Sequence, residues 1–492
     1  MTFSGKLSLL LRMFDKVLAF FMINSVNGAS NTMYKRVHTV MAASIAVALA
    51  GCQQAEPQDP KVTINKNPYP STYQPLPQQT TLLKNATVLT GTGERLENTD
   101  VLMQDGKIKQ IGANISASAK VTVDATGKWI TPGIIDVHSH LGVYPSPGVS
   151  SHQDGNEMTN PITAKVWAEH STWPQDPGFH TARAGGITTL QLLPGSANLI
   201  GGRSVTLRNV PATTMQEMKF PDAPYGLKMA CGENPKRVYG ERKIIPSTRM
   251  GNMAGYRDAF IEATEYKRAW DKYERDYQAG KNPQAPERDL QNDTLMGVLN
   301  GEILIHNHCY KAEEMAMMID LGKEFGYHAG TFHHGVEAYK VADELAKGGH
   351  CAALWPDWWG FKMEAYDMVN ENIVIVDAPK NSCAIMHSDS GTTIQRLNVE
   401  VGKSMYHAQR SGFDIKPERA IKWITANPAK SLGILDQTGT LENGKRADVV
   451  LWNSDPFSVY AKAEKVYIDG AKVYDLKDEK YQPQSDYLLG QQ

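Results

Sequence analysis

The decapeptide Thr131-Pro132-Gly133-Ile134-Ile135-Asp136-Val137-His138-Ser139-His140 sets two histidines one residue apart at the end of an apolar run. On a strand, residues i and i+2 face the same way, so His138 and His140 present both imidazoles from one face. Two neutral imidazoles on one face are the start of a divalent-metal site, since Zn²⁺ takes nitrogen ligands at about 2.0–2.1 Å. The competing reading is a polar pair at a loop mouth, and this pattern alone does not separate the two. Four further apolar runs end in comparable residues. Leu227-Lys228-Met229-Ala230 carries a lysine and is followed by Glu233, while Ile305-His306-Asn307-His308, Phe332-His333-His334 and Met386-His387-Ser388-Asp389 supply histidines and an aspartate. One buried histidine is more often structural than a ligand. Five strand ends in chain order bearing His, Lys or Glu, His, His and Asp predict a metal centre. Such a centre suits hydrolysis, because a bound divalent ion lowers the pKa of water toward about 7 and polarises a carbonyl.

The elements that must position these residues alternate between strand and helix. Ile187–Leu193, Tyr225–Cys231, Glu302–His308, His328–His334, Cys351–Trp355 and Cys383–His387 read as short strands. Helical stretches follow two of them, with Met315, Met318, Ile319 and Gly322 at i, i+3, i+4, i+7 on one face. Repeating β-α units predict an α/β protein with a (β/α)₈ TIM-like barrel over 131–434, whose strand C-termini meet at one mouth. A charged, helix-prone stretch at 236–300 interrupts the alternation and reads as an insertion capping that mouth. Outside the barrel lie two β-rich pieces, 81–130 and 435–480, with Asp-Gly hairpin signals at Asp105-Gly106 and Asp469-Gly470. They predict a small composite β-sandwich built from both chain ends. Residues 52–79, rich in Pro and Gln, read as a tether.

Composition is that of an ordinary soluble protein, with 41% hydrophobic and 21% charged residues among 492. A net charge of −2 gives no basic footprint, so nucleic acid is not an expected partner. The first 51 residues read as a leader. Lys35-Arg36 precede an uncharged stretch from Val40 that ends in Leu49-Ala50-Gly51-Cys52, the layout of a secretory signal. This ending resembles a bacterial lipobox and makes Cys52 the lipidated residue. The signal begins near Met33, so Met33 is the expected start and residues 1–32 are expected to lie upstream of the translated protein. Gln53 in place of aspartate favours the outer membrane, facing the periplasm or the cell surface. Cys231, Cys309, Cys351 and Cys383 are too widely spaced for a zinc ribbon or a disulfide scaffold and predict buried thiols.

Taken together, the H-x-H after Pro-Gly-x-Ile-Asp, Ala184-Gly185-Gly186-Ile187-Thr188-Thr189, Ala426-Asn427-Pro428-Ala429 and Gly439–Val450 resemble the metal-dependent amidohydrolase superfamily. The resemblance runs from about residue 81 to 475 and is nearest the imidazolonepropionase- and dipeptidase-like branch. It implies His138 and His140 as strand-1 ligands and His308 as the strand-5 ligand, with His306 as second choice. It also implies His334 on strand 6 and Asp389 on strand 8. On strand 4 it offers Lys228, carboxylated to bridge two metals, or Glu233. Zn²⁺ or another divalent ion, one or two per subunit, is the implied cofactor. Asp389 is the implied base, taking a proton from the attacking water and returning it to the leaving nitrogen. The bond expected to break is an amide, lactam or cyclic amide C–N bond of a small molecule. The rival readings are a metallo-dipeptidase and a non-catalytic surface lipoprotein that binds a ligand. For substrate contacts, Arg203 in the glycine-rich Gly201-Gly202-Arg203-Ser204 is placed to meet a carboxylate, unless the stretch is a structural turn. Trp358 walls the mouth or packs the rim, and Tyr310 and Arg249 are further candidates. A homo-oligomer is compatible with the sequence.

Overall fold

The computed structural model describes residues 58–482. The leader and Cys52 lie outside the described residues. Both Asp-Gly turns form as expected. Asp105 and Gly106 take φ of 52° and 75° between β2 (Arg95–Gln104) and β3 (Lys107–Gly112). Two left-handed central residues match the right-handed twist of a two-residue hairpin. The second such turn, Asp469-Gly470, joins β15 (Ala463–Ile468) to β16 (Ala471–Asp475).

Both hairpins belong to one sheet in the order β16-β15-β14-β5-β1-β2-β3, where β1 is Thr81–Leu89, β5 Trp129–Pro132 and β14 Val449–Trp452. β4 (Val121–Asp124) pairs with β1. The two chain ends meet where β5 pairs antiparallel with β14. Leu83, Val88, Val101, Met103, Ile130, Val449 and Leu451 bury a core of their own there. The chain then leaves this sheet through Gly133. A Cβ at that position would lie 2.1 Å from Thr188 Oγ1, so only glycine allows the approach.

The second sheet carries the barrel strands in chain order. They are β6 (Ile134–Ser139), β7 (Ile187–Leu192), β8 (Ile200–Arg208), β9 (Tyr225–Ala230), β10 (Ile303–Cys309), β11 (Thr331–His334), β12 (Cys351–Leu354) and β13 (Ala384–Met386). β6 to β8 are buried along their whole length, as strands with both faces covered must be. Just past β13, the Asp389 backbone N–H donates to His138 O at 3.0 Å and draws the last strand's loop onto the first strand. The fold is the expected TIM-like barrel with one departure: β8 runs antiparallel to both β7 and β9. The Gly201–Ser204 stretch read as a loop is therefore strand. Gly202 holds φ of 123°, and a Cβ there would meet Val166 O at 2.4 Å, so glycine admits the neighbouring segment.

Two further expectations change. Cys231 pairs with Cys309 and Cys351 with Cys383, so the four cysteines are disulfides and not thiols. Adjacent strands supply the proximity that linear spacing concealed. Part of the segment read as a tether is held in place. Ser71 Oγ donates to Lys219 O at 2.6 Å, Lys219 Nζ donates to Tyr69 O at 2.6 Å, and Tyr73 is buried with its hydroxyl on Asp469. Within 236–300 the chain forms helices Arg249–Gln278 and Leu290–Leu299. Near the start of the first, the Asn252 amide donates to Gly232 O at 3.1 Å, just past the end of β9. Residues 58–62 and 275–284 form a small unit of their own, in which the Gln58 amide donates to the carbonyls of Tyr277 and Lys281. No helix among the described residues is long and apolar enough to cross a membrane.

Candidate metal centre

His138 and His140 leave the end of β6 on one face, as the alternation requires. Their Nε2 atoms are 3.3 Å apart, and Asp389 Oδ1 lies 3.3 Å from the first and 3.2 Å from the second. Three donor atoms thus form a nearly equilateral triangle. Tetrahedral ligands at about 2.0–2.1 Å from Zn²⁺ stand roughly 3.3–3.4 Å from one another. The donor set therefore fits one face of a divalent ion's coordination sphere. Lys228, opposite on β9, brings Nζ to 3.4 Å from His138 Nε2 while donating to Pro194 O at 3.1 Å.

Hydrogen-bond partners fix which nitrogen points inward. A carbonyl can only accept, so His140 Nδ1–H donates to Leu193 O at 2.8 Å and His387 Nδ1–H to Leu354 O at 2.9 Å. With Nδ1 so engaged, it is Nε2 of each ring that faces the centre. His138 is governed by a longer chain. Its Nδ1 is 2.9 Å from His333 Nδ1, His333 Nε2 is 2.9 Å from His306 Nδ1, and His306 Nε2 is 3.0 Å from the Gln191 amide. Gln191 Oε1 is buried without a partner. Turning that amide over places the oxygen where His306 Nε2–H and the Ser204 hydroxyl both donate to it. Every proton in the chain then points away from the centre, and His138 Nε2 keeps its lone pair. A metal-facing His138 calls for this arrangement.

The backbone is strained where two donors emerge. His334 and Asp389 hold φ of 73° and 50°, a region that costs non-glycine residues energy and is found at functional sites. Asp136 braces the pair of loops, accepting from the backbone N–H of His138 at 3.1 Å and from the Ser388 hydroxyl. Burial pushes the Asp136 carboxyl up to about 7. Burial also raises Asp389, but the hydrogen bond and charge of His140, with His387 and Lys228, outweigh it and leave the carboxyl below its usual value. Burial lowers Lys228 to about 8. His138, His308 and His334 fall well below the ordinary imidazole range, burial first and neighbouring Lys228 contributing in each. These rings are neutral, as ligands must be.

The other named residues divide. His334 brings Nδ1 to 3.9 Å from Asp389 Oδ2 and 3.0 Å from His387 Nε2. His308 packs its ring on His334 at 4.5 Å between centroids, with Nε2 3.4 Å from the Asn234 amide. Tyr310 stacks against His334, while Trp358 stacks on Trp355, which itself lies on His334 at 4.2 Å. His306 is engaged in the histidine chain, and Glu233 pairs with Lys362, so neither second-choice ligand joins the cluster. Arg203 is the clearest correction. It sits opposite Leu227, whereas Gly202 sits opposite Lys228, so Arg203 faces the outside of the barrel. There it stacks on Trp167 at 4.1 Å and donates to Thr294 Oγ1 at 2.8 Å. Arg249 is held by Glu314 and Glu364 at 2.8 and 2.6 Å. Sequence reading gave His387 no role, although it groups with His138 and His334 as a possible metal-holding set. Its signal was its place two residues before Asp389, on the same strand end.

The solved structure of an amidohydrolase from Thermotoga maritima is 36% identical, covering 80% of this chain and 100% of that one with a TM-score of 0.73. This chain belongs to the amidohydrolase family. That family's hydrolases act on carbon–nitrogen bonds, and the model named Amidohydrolase family matches residues 302–473 of this amidohydrolase. The amidohydrolase tasK of Hapsidospora irregularis is 32% identical over 408 residues, 76% of this chain but 40% of that protein. This amidohydrolase therefore spans about two fifths of that relative's length. An imidazolonepropionase of Mesorhizobium japonicum is 24% identical over 76% of this chain and 89% of its own.

Proposed function

We propose that this amidohydrolase hydrolyses an amide, lactam or cyclic amide C–N bond of a small molecule, using one or two divalent ions, Zn²⁺ by choice of donors. The observation that carries the reading is the triangle of His138 Nε2, His140 Nε2 and Asp389 Oδ1 with edges of 3.2–3.3 Å. His138, His140, Lys228, His308, His334 and Asp389 are the residues that would hold the metal, with His387 beside them. A bound divalent ion supplies Lewis acidity, making water a nucleophile near neutral pH and polarising the carbonyl. Asp389, ionised at neutral pH, takes the proton as the water oxygen bonds to the carbonyl carbon, and passes it to the nitrogen as the C–N bond breaks. Lys228, lowered by burial to about 8, has the free amine that uptake of CO₂ requires, and its carboxylated form would serve as a metal ligand. Export is part of the proposal, with a lipid anchor at Cys52 holding the protein at the outer membrane. Two disulfides favour an oxidising compartment. The test is elemental analysis followed by an activity screen of the zinc-loaded protein on N-acyl amino acids, dipeptides, hydantoins and lactams. Metal-free protein that takes up no Zn²⁺, or loaded protein inert on every class, overturns the reading.

A further inference from the structure

The cation that sequence reading sought at the mouth is present at another position. Arg203 faces outward, Arg249 is committed to two glutamates, and Lys228 is bound to Pro194 O deep in the barrel. Lys362, on the loop after β12, instead extends inward. Its Nζ lies over the Tyr310 ring at 4.1 Å from the centroid and 3.3 Å from Asn234 Oδ1. The other end of the same Asn234 amide is 3.4 Å from His308 Nε2 and donates to Ser196 Oγ at 2.9 Å. The ammonium is therefore one side-chain amide away from a candidate metal ligand. The charge of Lys362 is accordingly among the influences that keep His308 neutral.

This lysine is held in place by its own loop. Two residues on, Glu364 is buried and fixed by Arg249, Ala365 is fully buried, and Gly360 N–H donates to Ala365 O at 3.0 Å. Earlier in the loop, Asp357 accepts from Lys403 at 3.1 Å. A preorganised cation loses less freedom on binding than one on a free side chain. Yet its present partners are loose. Glu233 Oε1 at 3.4 Å and Asn234 Oδ1 at 3.3 Å both exceed ordinary N–H···O distances of about 2.7–3.2 Å. An ammonium with three donors and only long contacts has capacity for a closer anion. The rings recorded against the ammonium are Tyr310 at 4.1 Å and Phe361 at 5.8 Å, whose faces favour a cation between them. Glu233 is the carboxylate a substrate anion must displace at Lys362, and its 3.4 Å separation leaves room for a closer partner.

We propose that Lys362 is the specificity-determining residue of this amidohydrolase, selecting amides that carry a free carboxylate close to the scissile bond, such as N-acyl amino acids and dipeptides. This deepens the hydrolase reading and rests on it for the choice of substrate. The carboxylate takes no part in the bond changes; it orients the carbonyl toward the donor cluster.

The test uses acid and amide pairs: N-acetyl-L-leucine, N-acetyl-L-phenylalanine and glycyl-L-leucine, each against its C-terminal carboxamide. Zinc-loaded wild type should favour the acids in kcat/KM by about 10- to 100-fold, the usual worth of a hydrogen bond to a charged group. Lys362→Met should erase that preference by raising KM for the acids while leaving kcat/KM for the carboxamides nearly unchanged. Lys362→Arg, which keeps the charge, should retain it and so exclude misfolding as the cause. Calorimetric binding of the same pairs to metal-stripped protein separates the two proposals. Acid-selective binding lost in Lys362→Met, without turnover by loaded protein, upholds Lys362 and overturns the hydrolase reading. Turnover of both members of each pair at equal kcat/KM upholds hydrolysis and overturns Lys362. A preference that survives in Lys362→Met, or binding of neither member, also overturns it.

Discussion

Two clusters of buried polar groups lie in this molecule, and they are built on opposite principles. At the seam between barrel and sandwich, Arg208 makes a two-pronged bond to Asp448 at 2.7 and 2.5 Å and approaches Asp469 at 3.2 Å. Thr438 and Tyr73 donate to these carboxylates at 2.6 Å, and Arg446 donates to Asp469 at 2.9 Å. Nearly every charge there has an opposite beside it. At the barrel mouth, by contrast, donor nitrogens and a carboxylate converge with few protons between them: His138 Nε2, His140 Nε2 and Asp389 Oδ1 stand 3.2–3.3 Å apart. The difference teaches that burial of polar groups carries no function by itself; convergence of lone pairs on one point does. One cluster commits its carboxylates to cations of the fold, and the other keeps its lone pairs for a ligand.

The comparison breaks if the mouth proves as structural as the seam. Asp389→Asn should lower kcat by about 10²–10⁴-fold, the usual proton-transfer contribution, with Tm and most of the metal retained. A melting loss with near-normal turnover would reverse the assignment. Arg208→Met should do the opposite. It strands the buried Asp448 carboxylate and should cost about 3–5 kcal/mol in denaturant unfolding, while kcat per folded molecule stays near wild type. Within the mouth, His306→Phe interrupts the histidine chain and should weaken Zn²⁺ affinity by about 10–100-fold in chelator competition, as loss of a ligand-orienting partner does. Unchanged affinity would show that the chain is core packing. Lys228 sharpens the picture through pH. Its folded pKa is lowered to about 8, so the neutral amine is a minority at pH 7 and dominates at pH 9. At a fixed concentration of dissolved CO₂, reactivation of stripped protein by Zn²⁺ should accelerate about fivefold or more over that range, and a flat profile would argue against carboxylation. The smallest effect belongs to Arg203→Leu, which removes an outward hydrogen bond worth about 1 kcal/mol and should leave kcat/KM unchanged.

What the sequence made legible follows from strand periodicity. The alternation that pairs His138 with His140, and the polar ends of β9 to β11, are local patterns that survive folding unchanged. The Asp-Gly hairpins are equally local. The reversal of β8 was hidden because Gly201-Gly202 reads as a breaker. These glycines are strand residues admitting Val166, a contact fixed by tertiary packing. Arg203 was misplaced for the same reason, since the face it takes depends on that register. The disulfides join cysteines 78 and 32 residues apart, which spacing alone does not connect. Lys362 lacked any motif; its direction is set by Glu364 meeting Arg249 across the fold.

The pairing of β5 with β14 has a consequence for the order of assembly. As the chain is synthesised, β1 to β5 appear early, yet β5 has no neighbour on one side until Val449–Trp452 has been made. Until then an edge of unpaired N–H and C=O groups stands open, next to apolar Ile130. Such an edge invites pairing with another chain. Folding of this sheet is therefore a late event with a large loop to close. A ribosome stalled before β14, or a protein clipped ahead of it, should yield aggregates and not a smaller folded piece.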